Sequence, residues 1–240
     1  MSTCNIDKWN MLAPTFNAFE IPKIGEDDCL TLINDLKLIT KDSSVMDVGC
    51  GAGRYAIAFA QMCRNVIGTD LSPQMIDYAQ KRADSMGLSH ISFICEDWDA
   101  ISIQERNYQN QFDFVFAHMT PAIHNTETLV KLQACSKKWC MLVIHMETPL
   151  LIAAKQMLNL SNQKTADSYA ADQIFHDLWK QGKRPQMTYF KQKRDMQRPI
   201  DVELTLLFED VEKLTPLTPE VKEQLTHLAA AYTKDGMVHQ

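Results

Sequence analysis

The chain has 240 residues, a net charge of −6 and a pI near 5.6, a balance that argues against a general nucleic-acid binder, whose affinity rests on neutralising phosphates. A composition 45% hydrophobic and 22% charged excludes wholesale disorder, and a long apolar stretch such as Cys140-Met141-Leu142-Val143-Ile144 falls far short of the roughly 20 residues that span a bilayer. Seven cysteines without a CxxC pair leave no zinc-ribbon or thioredoxin-like motif and suit free thiols in a reducing cytoplasm.

Residues 5–40 read as two amphipathic helices, anchored by Trp9, Met11, Leu12, Phe16 and Phe19. Asn5, Asp7, Lys8 and Asn10 stand where a signal peptide needs an unbroken apolar run. Ser44 to Val48 predicts a strand ending at Gly49, followed by a helix over 54–63 and a second strand from Asn65 to Thr69. Ser72 and Pro73 then supply the N-cap and first position of a helix whose apolar face is Met75, Ile76, Ala79 and Ala83, with Gly87 as its stop. Ile91 to Cys95, Phe112 to Ala117 and Cys140 to His145 read as strands three to five. Residues 148–181 read as helical, Gln186–Lys191 and Asp201–Phe208 as an antiparallel strand pair completing the sheet, and 218–232 as a last helix. Strand–helix alternation with short connections implies an α/β, doubly wound, mostly parallel seven-stranded sheet with helices on both faces. The domain boundary expected is 1–40 for the N-terminal helices and 41–240 for the rest, with a helical insertion at about 148–185.

Three of only eight glycines fall in Asp47-Val48-Gly49-Cys50-Gly51-Ala52-Gly53. Glycine is needed where φ is positive or where a ligand comes too close for a Cβ, and a strand, this loop and a helix wrap a nucleotide-like cofactor. A dinucleotide fingerprint would need its third glycine at position 54, which is Arg54. The acid two positions before Gly49 suits a positively charged ligand better than a pyrophosphate. S-adenosylmethionine carries a sulfonium and an ammonium group. Asp70, ending the second strand, suits both ribose hydroxyls, and Asp97-Trp98, after the third, suit an adenine amino group and an apolar wall.

The segments VMDVGCGAGRYAIAFA, VIGTDLSPQMIDYAQKRA, FICEDWDA and FDFVFAHMTPAIHN resemble the class I S-adenosylmethionine-dependent methyltransferases, over roughly residues 40–145 and, by expectation, over the sheet to 209. The resemblance implies that Asp47, Gly49, Cys50, Gly51 and Gly53 line the methionine side and that Asp70 holds the ribose. It further implies Leu71 and Met75 against the adenine, Asp97 with Trp98 at its edge, and Ala117 with His118 near the transferred methyl. Met75 also lies on the buried stripe of its helix, so core packing explains it equally well. His118 and His124 are the candidate general bases, ahead of His145 and Glu147. Trp9 and Phe16, in an N-terminal lid, with His145 and Tyr169, are the candidate acceptor-side residues. An enclosed, aromatic-lined site favours a small-molecule acceptor, and no metal or membrane is implied.

Two features keep alternatives open. The fourth strand ends in His118-Met119-Thr120-Pro121-Ala122 where amide- and adenine-methylating relatives have Asn/Asp-Pro-Pro-Tyr/Phe. Residues 180–198 carry seven cations against the single acid Asp195, a segment able to dock RNA or protein or to serve only as a solvated edge. The runner-up functions are therefore an RNA or protein methyltransferase and a non-catalytic scaffold for the same cofactor.

Overall fold

The computed structural model describes residues 6–144, 147–161, 163, 171–190 and 197–239. The chain divides into two compact units, Met1–Ile144 with Ala171–Phe190, and His145–Ala170 with Lys191–Gln240. Both N-terminal helices, α1 (Ile6–Asn17) and α2 (Asp28–Asp35), fall within the first unit.

The first unit is built on five strands, β1 (Ser44–Val48), β2 (Asn65–Asp70), β3 (Ile91–Cys95), β4 (Phe112–His118) and β5 (Ser136–Val143), all parallel in the order β3-β2-β1-β4-β5. Helices α3 (Arg54–Ala60) and α4 (Pro73–Ser85) connect β1 to β2 and β2 to β3, moving toward one edge. Helix α5 (Thr126–Ala134) connects β4 to β5 in the other direction. Right-handed crossovers therefore put α5 on the opposite face from α3 and α4. Central β1 is buried along its whole length, as a strand covered on both faces must be. On the α3 face Phe59, Phe114 and Phe116 are fully buried and meet edge-to-face or stacked at 5.1–5.9 Å. Each side chain of this kind contributes about 1.5–3 kcal/mol by leaving water.

Local signals fix the helix ends. The Ser72 hydroxyl accepts from Met75 N at 3.1 Å and Pro73 opens α4. Asn125 and Thr128 form a reciprocal capping box at the start of α5. Helix α7 (Ala171–Lys180) runs beside α5: Thr126 Oγ1 donates to Asp177 Oδ2 at 2.6 Å near the beginning of α5, and Gln133 reaches Gln181 at 3.3 Å near its end.

The second unit contains α6 (Pro149–Met157), α8 (Ile200–Glu212), α9 (Pro219–Ala231) and a small antiparallel sheet of β6 (Gln197–Pro199), β8 (Met237–His239) and β7 (Thr233–Lys234). Its core joins Leu150, Ala154, Leu207, Val211, Leu225, Ala229 and Val238.

This arrangement corrects the seven-strand expectation. Asp201–Phe208 is helical, because Leu204, Leu207, Phe208 and Val211 recur at helical spacing and their side chains pack against α6 and α9. The alternation Val202, Leu204, Leu206 was a coincidence of period two. Residues 186–190 join no ladder, and Lys191 lies outside the described residues. The fifth strand starts at Ser136 rather than Cys140: as an edge strand it tolerates the polar Ser136, Lys137 and Lys138.

Candidate functional site

The carboxyl ends of β1, β2, β3 and β4 converge on the glycine loop. Gly49, Gly51 and Gly53 take φ of +69°, +54° and +80°, the left-handed region that explains their residue type. Gly49 N and Cys50 N both donate to Thr69 O, at 2.8 and 2.9 Å, closing the loop over the end of β2. Asp70 ties this together. Its Oδ2 accepts from Gly51 N at 2.8 Å, its Oδ1 from Ser72 N at 2.9 Å, and its carbonyl from Glu96 N at 2.9 Å. Each carboxylate oxygen retains acceptor capacity for a hydroxyl. Burial raises the Asp70 pKa while the backbone donors of Ser72, Gly51 and Leu71 oppose the rise.

Asp47 is only 2% exposed beneath the loop. Burial pushes its pKa up to about 8, opposed by a hydrogen bond from the Ala56 backbone and reinforced by the charge of Asp70. Among the described residues no lysine, arginine or histidine pairs with it. The Cys50 thiol beside it is also buried, and desolvation with the charges of Asp47 and Asp70 holds its pKa well above the ordinary thiol value, so it is not a nucleophile.

Of the three loop glycines, Gly49 and Gly53 are crowded and Gly51 is open. A Cβ on Gly49 would lie 2.0 Å from Thr120 Oγ1 and 2.6 Å from Thr120 Cβ, whereas one on Gly51 would meet nothing nearer than Phe16 Cδ1 at 3.7 Å and Met75 Sδ at 3.8 Å. Gly51 thus leaves a cradle that a side chain would fill. Thr120, just beyond β4, escaped the sequence reading because nothing local links it to residue 49.

The other predicted residues distribute as follows. Leu71 is half-buried, and its carbonyl accepts from Cys95 Sγ at 3.4 Å. Met75 is buried in a small cluster with Ala13 and Ala52, against which Trp9 and Phe16 pack. Helix α1 is thereby brought to the glycine loop. Ser72 Oγ donates to Asn10 Oδ1 at 2.7 Å, and Arg82 bridges Phe19 O and Ala52 O at 2.9 and 3.3 Å. Asp97 is half-buried, its Oδ1 accepting from Asp99 N at 3.0 Å. Trp98 is 4% exposed, with its indole N–H on Thr128 O at 3.4 Å and Lys131 Nζ 5.9 Å from its ring. The indole is an anchor on α5 rather than an open wall.

Ala117 is fully buried, and His118, next along β4, turns to the opposite, α3 face. The His118 imidazole packs in a three-ring cluster with Tyr55 and Phe116, with ring centroids at 4.5 and 5.8 Å. The Tyr55 hydroxyl donates to Asp27, 3.0 Å from both carboxylate oxygens. Asp27 also caps α2 through Leu30 N at 2.9 Å and binds Arg54 Nη2 at 3.2 Å. Asp27, Arg54 and Tyr55 were not anticipated. Only the tertiary fold joins them to His118. His124 is committed elsewhere: its Nδ1 lies 3.1 Å from Pro121 O and its Nε2 3.6 Å from Asp99 Oδ1. His145 and Tyr169 lie outside the described residues, and Glu147, an exposed side chain in the second unit, pairs with Lys155. Of the basic segment, Lys180, Lys183 and Arg184 adjoin Gln181, hence the end of α5 that leads into the start of β5. That is the amino end of the parallel strands, whereas the glycine loop lies at their carboxyl ends.

Among the described residues no group of His, Cys, Asp or Glu could hold a metal ion, no helix is long and apolar enough to cross a membrane, and six cysteines are free thiols.

Residues 45–138 match the family described as a methyltransferase domain. A 57-residue stretch is 35% identical to the 23S rRNA (uracil(1939)-C(5))-methyltransferase of Marinomonas posidonica, covering 24% of this chain and 13% of that protein. An 80-residue stretch is 34% identical to the ribosomal protein L11 methyltransferase of Polynucleobacter necessarius, covering 33% of this chain and 23% of that protein. The chain thus matches only a small part of the length of these curated relatives. Among solved structures it resembles a SAM-dependent methyltransferase from Aquifex aeolicus, with a TM-score of 0.51 and 17% identity over 75% of this chain and 89% of that one. Residues 45–138 thus match a methyltransferase domain, and the strand order around them is that of the α/β fold of the solved S-adenosylmethionine-dependent methyltransferase that the chain resembles.

Proposed function

We propose that the chain transfers a methyl group from S-adenosylmethionine to a small-molecule acceptor. The observation that carries the donor is the glycine cradle itself: an open position at Gly51 between a buried acid, Asp47, and the ribose-ready carboxylate of Asp70. When bound, S-adenosylmethionine supplies a methyl group activated by a sulfonium. Asp47 balances positive charge on the donor, and Asp70 accepts from the ribose. Leu71 and Asp97 flank the adenine, Met75 and Trp98 stiffen that wall, and Gly49, Cys50 and Gly53 shape the loop. Ala117, too small to obstruct, borders the transferred methyl.

Displacement at a sulfonium disperses charge, so no oxyanion hole is required. Alignment of the acceptor with the methyl–sulfur bond is the main contribution, worth up to roughly 7–11 kcal/mol in well-oriented systems. His118 is the base for an acceptor that must lose a proton, a role typically worth about 10²–10⁴-fold. Its packing against Tyr55 and Phe116 supports the assignment by limiting its rotamers. His124, already bound at both ring nitrogens, serves better as a brace than as a base. Trp9 and Phe16, carried on α1 against the loop, exclude water from the donor in the manner of a lid. His145 and Tyr169 remain candidates for the acceptor side.

The small-molecule reading is supported by the position of Lys180, Lys183 and Arg184 toward the amino end of the parallel strands, and by Arg184 stacking on Trp179 at 4.3 Å rather than standing free. Incubating the protein with methyl-labelled S-adenosylmethionine and cell extract, followed by separation into small-molecule, RNA and protein fractions, tests it. Label in the small-molecule fraction is expected. Label in RNA or protein would assign the basic segment 180–198 to docking, and cofactor binding without any transfer would leave a scaffold.

A further inference from the structure

Phe16 was expected beside the acceptor, but the fold sets its ring against the glycine loop. Its Cδ1 lies 3.7 Å from the point a Gly51 side chain would occupy, nearer than the Met75 sulfur at 3.8 Å. The ring is held there by two others and by the fastening of its own helix. Trp9 meets it edge-on at 6.1 Å, Phe19 at 5.5 Å, and α1 is fastened by Asn10 to Ser72 and, just beyond its end, by Arg82 to Phe19 O. The Gly51 cradle opens beside this ring. An aromatic face attracts a cation that has left water, and does so selectively over a neutral group of the same shape.

We propose, building on the cofactor assignment above, that Phe16 reads the charge of the donor, favouring the cationic sulfonium of S-adenosylmethionine over the neutral thioether of S-adenosylhomocysteine. Transfer breaks the methyl–sulfur bond. The bonding pair stays on sulfur, the methyl bonds to the acceptor, and the acceptor's proton is released to solvent or a base. The positive charge is then gone from the cradle, and the attraction of Phe16 for the spent cofactor goes with it. Helix α1 would thus help to hold the donor and to release the product using one side chain. This is a specificity role for Phe16, separate from the general water exclusion of a lid.

Calorimetric titration of the full chain and of its Phe16→Leu, Phe16→Tyr and pentafluorophenylalanine-16 variants tests this with three ligands: S-adenosylmethionine, S-adenosylhomocysteine and sinefungin, whose charged amine replaces the sulfonium. Phe16→Leu should weaken the two cationic ligands about fivefold and the neutral product less than twofold, while Phe16→Tyr keeps wild-type preference. Pentafluorophenylalanine preserves the ring's shape but reverses its quadrupole, and should reproduce the loss without the packing change of leucine. Equal weakening of all three ligands, or no change in any, would overturn the proposal. Failure of the unmodified chain to bind any of the three would instead overturn the cofactor assignment.

Discussion

Substituting alanine at Gly49 and at Gly51 should produce opposite phenotypes, although the two glycines lie in one motif and share positive φ. At Gly49 two costs combine. A Cβ at φ +69° enters the left-handed region, about 1–2 kcal/mol for an L-residue, and it collides with Thr120 at 2.0–2.6 Å. Overpacking of this kind adds about 1–3 kcal/mol, and the colliding atoms include the Thr120 Cβ, which rotation about χ1 cannot remove. Gly49→Ala should therefore lose about 2–5 kcal/mol of stability, a fall in melting temperature on the order of 10 °C for a chain this long. At Gly51 the nearest atoms stand at ordinary contact distance, so only the backbone cost of about 1 kcal/mol remains. Gly51→Ala should melt within a few degrees of the parent yet bind S-adenosylhomocysteine at least tenfold more weakly. Calorimetric melting and ligand titration on both variants separate the effects, and the pair Gly49→Ala with Thr120→Gly should show about 1–3 kcal/mol of favourable coupling. A Gly49→Ala protein as stable as the parent, or a double variant without coupling, would refute the steric argument. Undiminished ligand binding by Gly51→Ala would refute the cradle.

Donor binding should depend on pH through Asp47. In the unliganded protein burial keeps its carboxyl protonated below about 8, whereas a cationic ligand favours the carboxylate, so affinity rises from pH 6 to 8 and a fraction of a proton is released on binding. Titrations in buffers of different ionisation enthalpy measure that release; Asp47→Asn should abolish it, and a flat profile for the parent protein would count against the buried-acid reading. His118→Ala should lower turnover of the identified acceptor by about 10²-fold or more while changing S-adenosylhomocysteine affinity less than threefold. Equal losses in both would remove it as a base and leave a packing residue. Asp113, which accepts from Ser44 N and Ser44 Oγ and pairs with Lys138 at 3.0 Å, is held down at about 2, chiefly by the Ser44 backbone. Its folded value is depressed, so its stabilisation is present above the unfolded value near 3.9 and is lost as pH falls toward 2. Asp113→Asn should cost about 1–2 kcal/mol at neutral pH and less in acid, as read from urea midpoints across pH 7 to 3.

The division between what the sequence disclosed and what it concealed follows the range of the interactions involved. Strands β1 to β4 were readable because each is a short apolar run closed by a turn signal, and helix α4 because Ser72, Pro73 and Gly87 mark its ends within a few residues. The glycine loop was readable for the same reason: positive φ is a property of one residue, and its residue type announces it. Asp201–Phe208 deceived because a run such as Val202-Glu203-Leu204-Thr205-Leu206-Leu207-Phe208 satisfies period two over its first half and the helical period over its whole. Contacts with Leu150, Leu225 and Ala229, supplied only by folding, decided between them. Trp98 was recognisable as important, but which way its indole turned depended on Thr128, 30 residues away.

That pattern bears on how acceptor choice is encoded. The proposed donor half of the site is assembled from neighbours in sequence, Asp47 to Gly53 in one loop and Asp70 to Ser72 in one turn, so it can be read from a short motif. His118 stands on different ground. Its ring is placed by Tyr55, Tyr55 by Asp27 28 residues before it, and Asp27 by its duty as the cap of α2 and partner of Arg54. A substitution that moves the entry of α2 should therefore be felt at His118 through Tyr55. Within the proposed site, the donor motif is local in sequence while the surroundings of His118 are set by distant contacts, which is the physical reason such a motif names the reaction before it names the substrate.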